Sequence, residues 1–107
     1  MTLLMLEDDA DRVRRFRAVC DSLAIELRVW RNAERMCREV EPLLPSATVI
    51  SLDHDLEPDA DGLDPGDGYT VAKFLASQPT IRPVIVHSSN RERSTWMLGE
   101  FELAGWP

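Results

Sequence analysis

The chain has 107 residues, of which 44% are hydrophobic, and it carries a formal net charge of −7. This length and composition predict one folded domain over residues 1–107 and exclude a disordered chain. The negative charge repels phosphate backbones, which excludes nucleic-acid binding by bulk charge, and it suits a divalent cation or a basic partner. The apolar run that opens the chain is too short for a signal peptide or a membrane span, so we expect a cytoplasmic protein without a membrane partner.

The first part of the chain alternates strand and helix patterns. Thr2–Leu6 is a continuous apolar run, which is typical of a strand covered on both faces. Ala10–Leu23 has apolar residues at helical spacing, and Asp9 is placed to cap its first turn. Ile25–Trp30 alternates apolar and polar residues, which predicts a second strand, near a sheet edge. A second helix follows a cap at Asn32.

The same alternation continues to the end of the chain. Thr48–Leu52 is β-branched and apolar, which predicts a third strand. The segment Glu57–Asp67 is acidic and contains glycine and proline, so we expect a loop there, followed by a helix that starts near Gly68. A fourth strand and a last helix complete the pattern, at Pro83–Val86 and Arg91–Leu103.

This order of elements predicts a three-layer α/β domain, with a parallel sheet covered by helices on both faces. Each of the four predicted helices should bury an apolar face. For the first helix, the predicted inward residues are Val13, Phe16, Val19, Cys20 and Leu23. For the last helix, they are Trp96, Met97 and Phe101.

Polar residues follow three of the four predicted strands. Asp8 and Asp9 follow the first strand, and three polar residues, Asp53, His54 and Asp55, follow the third. The fourth strand is followed by His87, Ser88, Ser89 and Asn90. Right-handed crossovers place the carboxyl ends of parallel strands at one edge, where open α/β sheets bind ligands. The sequence therefore predicts one pocket that contains several carboxylates and both histidines.

The residue types in this predicted pocket indicate metal and phosphate chemistry. Clustered carboxylates repel each other, so they need a cation or a shared proton. Oxygen ligands favour Mg²⁺ or Ca²⁺, and mixed sets of histidine and carboxylate favour Mn²⁺, Fe²⁺ or Zn²⁺. A histidine can transfer a proton near pH 7, and Ser88 and Asn90 could donate hydrogen bonds to developing negative charge. We expect Mg²⁺ or Mn²⁺ as the cofactor.

The arrangement resembles a response-regulator receiver domain of the flavodoxin-type fold. The likeness rests on Asp8-Asp9 after the first strand, Asp53 closing the third, Asp67-Gly68, and Ser88 after the fourth. The resemblance implies that Asp8, Asp9 and Asp53 hold Mg²⁺, with the backbone carbonyl of Asp55 as a further ligand. It also implies that Asp53 is the phosphoryl acceptor position and that Ser88 is the hydroxyl that senses the phosphoryl group.

The sequence departs from ordinary receivers in two ways. Receivers have a fifth strand that carries a lysine, whereas here that strand is missing or outside this chain, and Lys73 lies within a predicted helix. Histidines also occur where receivers do not require them. The two motifs, Leu52-Asp53-His54-Asp55-Leu56 and His87-Ser88-Ser89-Asn90, look more like the divergent cyclic-phosphate-processing receiver domains. That resemblance implies a phosphoesterase-like enzyme and a small phosphate-bearing substrate.

Simpler structural roles stay open for several of these residues. Asp8-Asp9 could be a helix cap beside a solvated acid, and Asn90 could cap the last helix. Side chains alternate along an extended segment, so His54 could point away from a pocket that contains Asp53 and Asp55. His87 could be a hydrogen-bonded packing histidine. The loop lacks the spacing of a calcium-binding loop, because its twelfth position, Gly68, is not an acid.

Three functional hypotheses follow from these residues. The first is a metal-dependent phosphoesterase that acts on a cyclic phosphate, in which Asp53, His54, His87, Ser88 and Asn90 do the chemistry. The second is a degenerate or non-catalytic receiver that signals through a protein partner or a homodimer. The third is a metal-binding regulatory module without catalysis.

Overall fold

The computed structural model describes residues 1–58, 62–80, 82–87 and 91–106. Four parallel strands form one sheet in these residues, in the order β2-β1-β3-β4. The strands are β1 (Thr2–Leu6), β2 (Glu26–Trp30), β3 (Val49–Leu52) and β4 (Val84–Val86). The predicted three-layer α/β architecture is confirmed, and β2 lies at an edge as its alternating pattern indicates.

The helices are α1 (Ala10–Ser22), α2 (Ala33–Glu39), a 3₁₀ helix (Glu41–Ser46), α3 (Gly68–Ala76) and α4 (Arg91–Leu103). Within the described residues, α1, α2 and α3 begin at side-chain caps. Asp9 accepts hydrogen bonds from the first-turn amides of α1, and Asn32 and Asp67 do the same for α2 and α3. These bonds satisfy amides that have no partner inside the helix. No helix within the described ranges is long and apolar enough to cross a membrane.

The main core lies on one face of the sheet. Alternate strand residues, Leu4 and Leu6 of β1 and Ile50 and Leu52 of β3, pack there against buried residues of α2, α3 and α4. The helix α1 contributes no residue to this cluster, and Cys20 is its one buried residue. The core therefore joins three helices to the sheet on the side away from α1.

Two predicted apolar faces are less buried than the sequence indicated. Val19 and Leu23 were predicted to point inward, but they are 57% and 62% exposed. They lie in and just after the last turn of α1, on the side of the sheet opposite the main core, where the described residues bury only Cys20 of this helix. Trp96 was also predicted to point inward, but it is 41% exposed and lies under the guanidinium of Arg93, 4.0 Å from the ring centre. Helical periodicity identifies an apolar stripe, but it does not show how much of the stripe a neighbour covers.

The end of β3 is held against the start of α3. The amide of Gly68 donates to the carbonyl oxygen of His54 at 3.0 Å, and Asp55 and Asp67 form an isolated antiparallel bridge. A Cβ atom at position 68 would collide with the carbonyl oxygen of Asp53. Glycine is therefore required at this position, because only glycine allows the two backbones to approach so closely. The contact fixes the peptide that presents Asp53.

Candidate metal and phosphate site

Three polar side chains lie side by side at the carboxyl edge of the sheet. In the parallel ladders the last residue of β3 pairs with the last residues of β1 and of β4, so the residues that follow these strands are also neighbours. These residues are Glu7, Asp53 and His87, which we call the strand-end cluster. One ligand atom from each lies within 4.8 Å of the others. Sheet register alone therefore brings two carboxylates and one imidazole together.

Glu7 is the most buried acid of the strand-end cluster. Its side chain has no solvent exposure, and its Oε1 atom lies 2.8 Å from Nη1 of Arg12. Neither oxygen of this side chain has a well-directed hydrogen bond within the described residues. Burial and the neighbouring carboxylate of Asp53 raise the pKa of Glu7 to about 8, although Arg12 opposes the shift. Arg12 alone therefore does not offset the burial of Glu7 and its repulsion by Asp53.

His87 completes the cluster with a half-buried imidazole. Its Nδ1 and Nε2 atoms are both buried and have no hydrogen-bond partner among the described residues. Its ring stacks on Phe16, with 6.3 Å between the ring centres. Burial lowers the pKa of His87, although the charge of Asp53 opposes the shift. The neutral imidazole therefore has ring nitrogens available for a metal ion, a substrate or a proton.

These donors fit a divalent cation. Ligands to one Mg²⁺ or Ca²⁺ lie roughly 2–2.6 Å from it, so their mutual separations match those of the strand-end cluster. The oxygens of Glu7 are buried and have no hydrogen bond within the described residues, and an unsatisfied buried polar group is costly. A cation would satisfy them and neutralise the two carboxylates. Oxygen donors suit Mg²⁺, and the imidazole extends the choice to Mn²⁺.

The other predicted acids line the same cavity and also have structural contacts. The cavity has a volume of about 700 Å³ and is lined by Asp8, Asp9, Arg12, Asp53, Asp55, Glu57 and His87. We call it the acidic cavity. Asp8 accepts a hydrogen bond from the amide of Glu57 at 2.6 Å, so it ties β1 to the connection after β3. Asp9 accepts the amides of Asp11 and Arg12 at 2.9 and 3.1 Å, which confirms its predicted capping role.

His54 lies outside the lining of the acidic cavity. Its Nδ1 atom is 2.6 Å from Oδ1 of Asp55, and its Nε2 atom is 3.9 Å from Oδ2 of Asp67. The side chain is therefore placed between two acids at the base of the connection from β3 to α3. The alternation of side chains after β3 explains why Asp53 and Asp55 line the cavity and His54 does not.

The sequence analysis missed two residues of this site. It passed over Glu7 in favour of Asp8 and Asp9, although Glu7 is the first residue after its strand, as Asp53 and His87 are. That shared position is the signal that could have identified it. Arg12 gave no such signal, because it belongs to an arginine-rich helix surface. Two other predicted residues, Ser88 and Asn90, lie outside the described residues.

The sequence matches a family model described as the cyclic-phosphate processing receiver domain, over residues 2–102. The chain belongs to this family. The match covers most of the chain and includes every member of the strand-end cluster. No curated protein matches the sequence.

Three solved structures that are similar to this receiver domain are themselves receiver domains. The signal receiver domain of a modulated diguanylate cyclase from Desulfovibrio desulfuricans G20 matches with a TM-score of 0.68 and 20% identity, over 98% of this chain and 75% of that chain. The BeF3-activated receiver domain of Klebsiella pneumoniae RstA matches with a TM-score of 0.70 and 17% identity, over 94% and 79%. The receiver domain of the Francisella response regulator 1452 matches with a TM-score of 0.64 and 19% identity, over 92% and 76%. These identities establish the fold.

Proposed function

We propose that this receiver domain is a metal-dependent phosphoesterase that acts on a cyclic phosphate. The observation that supports this most directly is the strand-end cluster, in which two carboxylates and an imidazole lie within reach of one cation. An ordinary phosphorylation switch does not require the imidazole. The family's description, which names the processing of cyclic phosphates, supports the same substrate class.

The proposed division of roles follows from burial and charge. Glu7 and Asp53 would hold the cation, with Asp8 and Asp55 at the cavity wall as further candidate ligands. A bound divalent cation supplies a Lewis acid that polarises a phosphoryl oxygen. Asp9 is proposed mainly as the cap of α1, because one of its oxygens already accepts two amides.

His87 is proposed as the group that moves the proton. Its lowered pKa keeps the imidazole neutral near pH 7, so it can accept a proton from the attacking water. The water oxygen forms a bond to phosphorus, one ring P–O bond breaks, and the leaving oxygen takes the proton from His87. Ser88 and Asn90 remain proposed hydrogen-bond donors to the phosphoryl oxygens. His54 is proposed to position Asp55 and Asp67.

The test is a hydrolysis assay on a panel of cyclic nucleotides and cyclic-phosphate-ended oligonucleotides, with Mg²⁺ or Mn²⁺. We expect metal-dependent ring opening that Asp53→Asn abolishes. Asp21→Asn makes the same chemical change on an exposed part of α1 and should leave the rate unchanged. Failure to hydrolyse any member of the panel, with or without metal, would overturn the proposal.

A second candidate function is a signalling receiver that binds a partner protein or a second copy of itself. It is favoured by the position of Asp53, which follows β3 beside a second buried acid, and by a fold shared with signalling receivers. Under this hypothesis, acetyl phosphate should label Asp53, and the intact mass should rise by one phosphoryl group. Labelling that persists in His87→Ala, together with no hydrolysis, would select this function.

A further inference from the structure

Arg12 is the one cationic side chain that lines the acidic cavity, among the residues that the structure describes. Its backbone is fixed in the first turn of α1, where its amide donates to Asp9 at 3.1 Å. Its guanidinium reaches back over the end of β1 and pairs with Glu7 at 2.8 Å. The side chain is 42% exposed, so one end contacts a buried acid while the rest borders the open cavity.

This contact occupies an oxygen of the acid that the proposed cation requires. The arginine cannot leave by losing its proton, because a guanidinium stays charged in proteins. A divalent cation at Glu7 and Asp53 would instead repel the guanidinium from Oε1 of Glu7. The side chain is anchored at its Cα atom in α1, so a displaced guanidinium would stay at the cavity.

A displaced guanidinium has a natural partner in a phosphate group. Its planar fork of N–H donors matches two phosphate oxygens, and such charge-assisted bonds are stronger than neutral ones. The lysine that ordinary receivers place at this edge has no counterpart in the described residues. Lys73 lies on α3, with its ammonium 5.7 Å from the ring centre of Tyr69.

We propose that Arg12 exchanges partners: it pairs with Glu7 in the metal-free domain and moves to the phosphate of the substrate when a cation binds Glu7. This inference rests on the proposed function and adds a coupling to it. A cation frees the guanidinium for the phosphate, and a phosphate draws the guanidinium away from the site of the cation. Each ligand therefore raises the affinity for the other, as linkage requires.

The exchange predicts that replacing Arg12 changes the affinity for Mg²⁺ and the affinity for phosphate in opposite directions. Arg12→Ala removes the competitor for Glu7, so the affinity for Mg²⁺ alone should rise, by roughly 3-fold on the scale of a partly exposed ion pair. The same variant loses a charge-assisted phosphate contact, so the affinity for inorganic phosphate in saturating Mg²⁺ should fall by about 10-fold or more. Arg12→Lys keeps the charge and should recover part of the phosphate affinity.

The experiment measures thermal unfolding while Mg²⁺ alone, and then inorganic phosphate in saturating Mg²⁺, is titrated into the full chain. Arg14→Ala is the matched control, because Arg14 makes its ion pair with Asp11 on the outer surface of α1. Arg12→Gln serves if the alanine variant fails to fold. A fall in both affinities, or no change in either, would overturn the exchange while leaving the phosphoesterase proposal intact. A wild-type domain that binds neither ligand would overturn both.

Discussion

The ends of β1 and β3 carry similar runs of polar residues that fold differently. After β1 the run is Glu7-Asp8-Asp9, and after β3 it is Asp53-His54-Asp55. The first residue of each run is buried and joins the strand-end cluster. The second and third residues diverge, because Asp8 and Asp9 bind backbone amides whereas His54 and Asp55 contact each other.

This difference shows that two separate factors set the positions of the polar residues at the site. The position of the first residue is set by sheet register, which is the same for both strands. The positions of the next two residues are set by the connection that follows. After β1 the chain turns directly into α1, so Asp9 becomes a helix cap, whereas after β3 a longer connection is closed at its base by Asp55 and Asp67. Glu7 and Asp53 at the first positions should therefore act mainly on ligands, whereas Asp9 and His54 at later positions should act mainly on structure.

The largest expected difference is between the two histidines. His87→Ala removes the proposed proton carrier, so the rate of cyclic-phosphate hydrolysis should fall on the order of 10²-fold or more. His54→Ala removes a contact at the base of the connection, so its rate should stay within roughly 10-fold of wild type, below the loss expected of a general acid or base. Steady-state assays of both variants measure the ratio of their hydrolysis rates. Equal losses would remove the distinction between first and later positions.

The next effect concerns cation binding. Millimolar Mg²⁺ or Mn²⁺ should raise the unfolding temperature of the wild type, because a ligand that binds only the folded state stabilises it. Glu7→Gln and Asp53→Asn should lose most of this shift, and Asp9→Asn should keep it. Differential scanning fluorimetry with and without EDTA is the measurement. If Asp9→Asn loses the metal-induced rise in unfolding temperature and Glu7→Gln keeps it, Asp9 rather than Glu7 would be the ligand of the cation.

A pH dependence of the metal-free domain follows from the buried acid. The pKa of Glu7 lies at about 8 in the folded protein, against an ordinary value of 4.5. Between these values the folded state keeps a proton that the unfolded chain releases, so stability should fall as the pH rises through this window. The slope should reach up to about 1.4 kcal/mol per pH unit. Urea unfolding in EDTA should show the slope in wild type and a flatter profile in Glu7→Gln.

The smallest effect is the loss of the helix cap. Asp9→Ala leaves two first-turn amides of α1 without their side-chain acceptor and should cost about 1 kcal/mol of unfolding free energy. Asp9→Asn keeps an acceptor oxygen and should cost less. Urea denaturation compares the two variants. A cost well above 3 kcal/mol for Asp9→Ala would mean that this residue does more than cap the helix.

Much of the fold could be predicted from local pattern. The bounds of β1 and α4 agree with the predicted Thr2–Leu6 and Arg91–Leu103. The burial of Val19 and Trp96 was predicted wrongly, since burial depends on elements distant in sequence. The convergence of Asp53 and His87 was predicted from strand ends. Glu7 was not, although the predicted end of β1 at Leu6 already placed it first after its strand, as Asp53 and His87 are.

The bridge between Asp55 and Asp67 has a consequence for how this domain could be re-engineered. It closes the connection between β3 and α3 at its base, and Gly68 locks the same point against the backbone of β3. We expect the ends of this connection to resist change, because Leu56 packs against the core, the amide of Glu57 donates to Asp8 and the carbonyl oxygen of Pro65 accepts from Ala33. Loop libraries confined to positions between 57 and 64 should then change which molecules enter the cavity while the ligand atoms at the strand ends keep their positions.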